Sequence, residues 1–129
     1  MKYYFSKTLN NVTFEAAIDK VTEELKKEGF GVISEINIHE KFKEKLGIDF
    51  RKYRILGACN PAAAFKALQE EDKIGTMLPC NVIVQQISDS QFEVAAVDPV
   101  ASMQAIENAN LGAIANDIRS KLEKVIENI

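Results

Sequence analysis

Apolar residues recur along this chain in two periods, and the switches between them mark its elements. From Lys2 to Leu9, Tyr3, Phe5 and Lys7 alternate with Tyr4, Ser6 and Thr8, the two-residue period of a first strand with one face more apolar than the other. Asn10-Asn11 mark a turn, after which Thr13 is placed to cap a helix with Glu15 in its first turn. Phe14, Ala17, Ile18, Val21 and Leu25 then fall at helical spacing, with Asp19, Lys20, Glu23, Glu24, Lys26 and Lys27 on the other side and Gly29 as the stop. Alternation returns from Phe30 to Ile38 as a second strand. The charged stretch His39 to Leu46 spaces Phe42 and Leu46 four apart, which fits one or two surface helical turns closed by Gly47.

Arg54 to Cys59 reads as the third strand. Asn60-Pro61 opens a helix: Asn caps it, and Pro in the first helical position gives up no hydrogen bond. Ala62 to Leu68 are strong helix formers, and Gly75 to Pro79 is an irregular connection. Asn81 to Ile87 and Phe92 to Val97 are two β-branched runs joined by Ser88-Asp89-Ser90-Gln91, a hairpin. Asp98-Pro99 ends it, and Val100 to Ala109 holds at most a short helix with Met103 and Ile106. Leu111, Ile114 or Ala115, Ile118, Leu122, Val125 and Ile129 give a long terminal helix an apolar stripe. The order β-α-β-β-α-β-β-α predicts an α+β, two-layer fold: an antiparallel sheet of about five strands with helices on one face.

Composition narrows the function classes. With 129 residues the chain is expected to form one domain, and 47% apolar with 27% charged residues fits a soluble globular protein. A net charge of −3 argues against a nucleic-acid partner, and the cluster Arg51, Lys52, Arg54 is too small to reverse that. No apolar run is long enough to cross a membrane, and the polar N-terminus does not resemble a signal peptide. The expected location is the cytoplasm, with Cys59 and Cys80 as thiols.

Candidate chemistry gathers between Arg54 and Val84, where both cysteines and the two dipeptides Cys59-Asn60 and Cys80-Asn81 lie. Cys59 stands just before a helix N-terminus, whose unsatisfied N–H groups favour a thiolate. A helix from Pro61 to about Glu71 climbs roughly 16 Å. The eight residues after it can span about 28 Å, enough to bring Cys80 back to the same sheet end. Two readings follow. Cys59 and Cys80 form a thiol site (a nucleophile, a redox pair or soft-metal ligands) with Asn60 and Asn81 orienting a ligand, or they are small buried hydrophobes at strand ends. Their spacing is not that of a zinc knuckle or a thioredoxin.

His39, the only histidine, has no partner adjacent in sequence and reads as a surface residue opening a charged turn. Asp98 is a candidate ligand-binding carboxylate, set against a capping role. Met77 and Leu78 could line a pocket or fill a core edge. The terminal stripe packs on its own sheet or, through Val125, Ile126 and Ile129, dimerises. Phosphate-loop, GxSxG, HExxH and EF-hand patterns are absent.

The segments Leu56 to Pro61 (LGACNP), Met77 to Val84 (MLPCNVIV) and Val97 to Pro99 (VDP) together resemble the domain of unknown function 302 family. That resemblance implies a compact α+β fold, TATA-binding-protein-like in outline, and no settled activity. It places the motif on Gly57, Cys59, Asn60, Pro61, Pro79, Cys80, Asn81, Asp98 and Pro99. The sequence names no cofactor. It leaves open a homodimeric domain binding a small molecule, metal or protein near Cys59 and Cys80, a thiol-dependent redox or transfer enzyme, and an interaction domain with inert cysteines.

Overall fold

The computed structural model describes residues 2–129. Five strands form one antiparallel sheet: β1 (Tyr4–Asn10), β2 (Gly31–Asn37), β3 (Tyr53–Cys59), β4 (Cys80–Ser88) and β5 (Gln91–Val97), in the spatial order β1-β5-β4-β3-β2. The first three helices are α1 (Phe14–Lys27), α2 (Ile38–Leu46) and α3 (Pro61–Glu70). After the hairpin come the single turn α4 (Pro99–Ser102) and the terminal α5 (Ala109–Asn128). A 3-10 turn, Ile74–Met77, joins α3 to β4.

The two-layer α+β reading holds. Strand alternation sends Leu56 and Ala58, Val82 and Val84, and Phe92, Val94 and Ala96 to one face, where they are buried against α1 and α5. Thr13 caps α1 by accepting from the Ala16 N–H (3.1 Å), as its position predicted. Beyond the C-cap of that helix, Gly29 takes φ +84°, a left-handed turn that lets the chain reverse into β2. The terminal stripe packs internally, with Leu122, Val125 and Ile126 all in the core.

Three details differ from the sequence reading. Ile38 does not extend β2; it begins α2, a regular nine-residue helix rather than isolated turns. His39 is half-buried, its Nδ1 lying 3.0 Å from both the N–H and the carbonyl oxygen of Tyr53 and its ring edge-on to Phe14. Glu24 lies buried on α1 rather than on the solvent side, where Lys27 Nζ donates to it at 2.9 Å.

A candidate ligand cavity at the end of the sheet

Asn60 does what its place before Pro61 dictates. Its Oδ1 accepts the Ala63 N–H at 3.2 Å and starts α3 directly after β3. The chain therefore leaves the sheet at Cys59 and climbs away as a helix whose inner positions are alanines. It returns through the 3-10 turn and the cis Leu78–Pro79 peptide to enter β4 at Cys80. Cys80 pairs in register with Ala58, so the two cysteines sit one residue out of register on neighbouring strands.

Between this returning segment and the body of the fold lies a cavity of about 270 Å³. Its floor is Ala58, Cys59 and Cys80; one wall is Ala63, Ala64 and Ala67 of α3; the opposite wall is Ile114, Ala115 and Ile118 of α5. Leu78, Pro79, Pro99 and Met103 close the sides. Ile33 reaches the rim from β2 at a shift in strand register between Val32 and Ser34, the kind of irregularity that re-aims a side chain. Apart from backbone, the polar groups at this cavity are the two thiols and Asn60.

Both cysteines are free and half-buried. Burial pushes the Cys80 thiol up to about 11, and the neighbouring Cys59 adds to the rise. Cys80 therefore stays protonated at neutral pH and packs as a small apolar side chain against the core. Among the described residues, no group of three or more His, Cys, Asp or Glu side chains is placed to hold a metal ion.

The other singled-out residues fall elsewhere. Asn81 follows Cys80 in a regular strand, so alternation turns it to the opposite face of the sheet. Asp98 is buried beside the cavity without lining it. Its Oδ1 accepts the Val100 N–H (3.0 Å) to cap α4, and its Oδ2 accepts from Arg119 Nε (3.1 Å). Gly57 is fixed by crowding: a Cβ there would collide with Ser34 Oγ and stand 2.8 Å from Pro79 Cγ. Leu78 lines the cavity, whereas Met77 is turned outward and 40% exposed. The alanine wall and the α5 wall had no signal of their own in the sequence; each residue reads there as an ordinary helix former or core position.

None of the curated proteins compared with the chain matches it. The structure is similar to the crystal structure of an uncharacterized conserved DUF302 protein from Bacillus stearothermophilus. That likeness has a TM-score of 0.89 and 29% identity over 99% of this chain and 98% of the other. The family model described as "Domain of unknown function DUF302" matches residues 5–129, nearly the whole chain, so the chain belongs to the DUF302 family.

Proposed function

We propose that the chain binds a small, largely apolar molecule in the cavity between α3, α5 and the ends of β3 and β4. The observation that carries this reading is a 270 Å³ space walled almost wholly by carbon, set between the two apolar clusters of the fold. An apolar cavity of about 150 Å³ stays dry and accepts benzene. This one has room for more than a single ring: a bicyclic aromatic or a medium-length acyl chain, with its polar end toward Asn60 and the thiols. The wider reading is a single cytoplasmic domain that self-associates and has no nucleic-acid partner, in keeping with its charge of −3.

A second reading is thiol chemistry on the bound molecule, favoured by both cysteines facing one cavity. In it Cys59 is the nucleophile, because the thiol of Cys80 is held protonated. Metal binding is not part of the proposal: two thiols supply only half of a tetrahedral soft-metal site.

Titration of the native protein with decanoic acid and with an anilinonaphthalene dye tests the binding reading. Saturable binding, and slower alkylation of Cys59 in the loaded protein, are the expected results. Ala64→Leu, which fills the space from α3, should abolish both effects while leaving the melting temperature unchanged or higher. No binding of either probe, or binding untouched by Ala64→Leu, would remove the cavity as the site. Loss of ligand turnover in Cys59→Ser, with binding retained, would establish the thiol chemistry.

A further inference from the structure

The sheet face turned away from α1 and α5 holds an open depression of about 420 Å³, a volume within the range of small-molecule sites. Residue size along the strands produces it. In one row across the sheet Tyr4 pairs with Val97; in the next, Ser6 pairs with Ala95 and Ala95 with Ile83. Thr8, Glu93, Gln85 and Tyr53 form the third row. The short side chains of Ser6 and Ala95 thus lie between tyrosines at diagonal corners, and the floor of Ala95, Ile83 and Val97 stays low. Tyr3 and Asn81 complete the rim.

The polar groups of this depression are unbalanced. Glu93 is half-buried, and its Oε1 accepts from the neutral amide of Gln85 at 2.7 Å. Gln85 Oε1 in turn accepts from Arg51 Nε at 2.9 Å, and Arg51 is stacked on Phe50 with Cζ 4.3 Å from the ring centre. The guanidinium is therefore engaged one amide away from the carboxylate. Among the described residues Glu93 enters no ion pair, and its Oε2 has no hydrogen-bond partner. The aromatic walls already attract cations from the chain itself. Lys2 Nζ lies 5.1 Å from the centre of the Tyr4 ring, and Arg51 Cζ 5.7 Å from that of Tyr53. Lys2 is exposed and held there by the ring alone, so a ligand can displace it.

We infer that this face holds a second ligand site, one for an arylalkylamine: a flat ring carrying a protonated amine on a short arm. The ammonium meets the free oxygen of Glu93 beside Tyr53. The ring lies on Ala95, Ile83 and Val97, with Tyr4 at its edge. Rows two residues apart on a strand are about 6.7 Å apart, so the row of Glu93 is roughly 13 Å from that of Tyr4. That length takes a bicyclic ring and a two-carbon arm. A carboxylate on the same arm would be repelled by Glu93, and a wholly apolar molecule would cover the carboxylate without pairing it. The site is independent of the apolar cavity, since the buried strand residues and α1 and α5 lie on the other side of the sheet.

Tryptamine tests the inference, with indole-3-propionate as a probe of the same ring and opposite charge. The chain has no tryptophan, so the fluorescence anisotropy of the indole reports binding directly. Titrating the full chain should give saturable tryptamine binding with a dissociation constant of about 100 µM, and indole-3-propionate at least about tenfold weaker. Glu93→Gln, which keeps the shape and removes the charge, should weaken tryptamine about tenfold. Ala95→Phe fills the floor on an exposed strand face, where an aromatic residue suits the strand, and should abolish binding. Ala64→Leu, which fills the apolar cavity, should leave tryptamine binding unchanged. Absence of saturable binding overturns the inference, as does equal binding of the two probes or indifference to either Glu93→Gln or Ala95→Phe. Loss of tryptamine binding in Ala64→Leu also overturns it, by placing the amine in the cavity and leaving that reading intact.

Discussion

The chain buries its apolar residues in two clusters, and they are built differently. The larger joins the helix-facing side of the sheet to α1 and the C-terminal half of α5, with large side chains such as Phe92, Leu25, Leu56 and Leu122 wholly enclosed. The smaller holds Ala67, Ile74 and Leu111, with Leu78, Met103, Ile106 and Ile114 only partly covered. The cavity lies between them. Where the two layers face each other the intervening positions are Ala63, Ala64, Ala67 and Ala115, too short to close the gap. The first cluster is packed to hold the fold and the second to leave room. A ligand there would complete a core that the sequence leaves unfilled.

The largest expected contrast comes from cutting one residue in each cluster. Leu122→Ala should cost about 3–5 kcal/mol of unfolding free energy, because the closed surroundings cannot collapse onto the lost volume. Ile114→Ala, beside space that already exists, should cost no more than about 1.5 kcal/mol. Denaturant melts of the two variants decide the matter, and equal costs would mean that the second cluster is packed as tightly as the first.

How much of this was legible follows the same division. The large cluster announces itself through period: two-residue alternation in β4 and β5, helical spacing in α1 and α5. Caps at Thr13 and Asn60 could be read from residue type alone, because a side-chain oxygen before a helix has one evident acceptor role. The boundary at Ile38 could not, since Ile36 and Ile38 continue an alternation that the chain abandons in favour of α2. The cavity was illegible for a different reason. It is made of short side chains, and Ala62 to Ala64 look the same whether they favour a helix or leave a space. The repeated Cys-Asn dipeptide misleads in turn. Asn60 ends a strand and opens a helix, while Asn81 lies inside a strand and is turned to the far face.

A pH titration probes the seam between the clusters. The folded chain holds the Cys80 thiol up to about 11, against an ordinary value of 9.0. Below pH 9 the thiol is protonated in both states and nothing is lost. As pH rises from 9 to 11 the unfolded chain ionises first, so this contribution to stability disappears across that window. The full effect is about 2–3 kcal/mol. Cys80→Ala should flatten the alkaline limb of the stability profile by that amount relative to wild type. Superimposable limbs would show the thiol to be better hydrated than its packing implies.

The smallest effect should be the most local. Asp98 ties the smaller cluster together: it caps α4 with one oxygen and holds Arg119 of α5 with the other. Arg119 is 41% exposed at its side chain, so water replaces much of what the ion pair supplies. The cap is worth about 1 kcal/mol. Asp98→Ala should therefore lower global stability by about 1–2 kcal/mol, the upper part reflecting the loss of a charged acceptor from a buried position. Its signature lies in where the loss appears. Amide exchange should quicken in α4 and in the first turns of α5, which wall the cavity, while β4, β5 and α1 keep their protection relative to global unfolding. Uniform acceleration across both regions would show that the clusters unfold as one unit, and that the cavity is enclosed by the whole fold rather than by a layer able to open on its own.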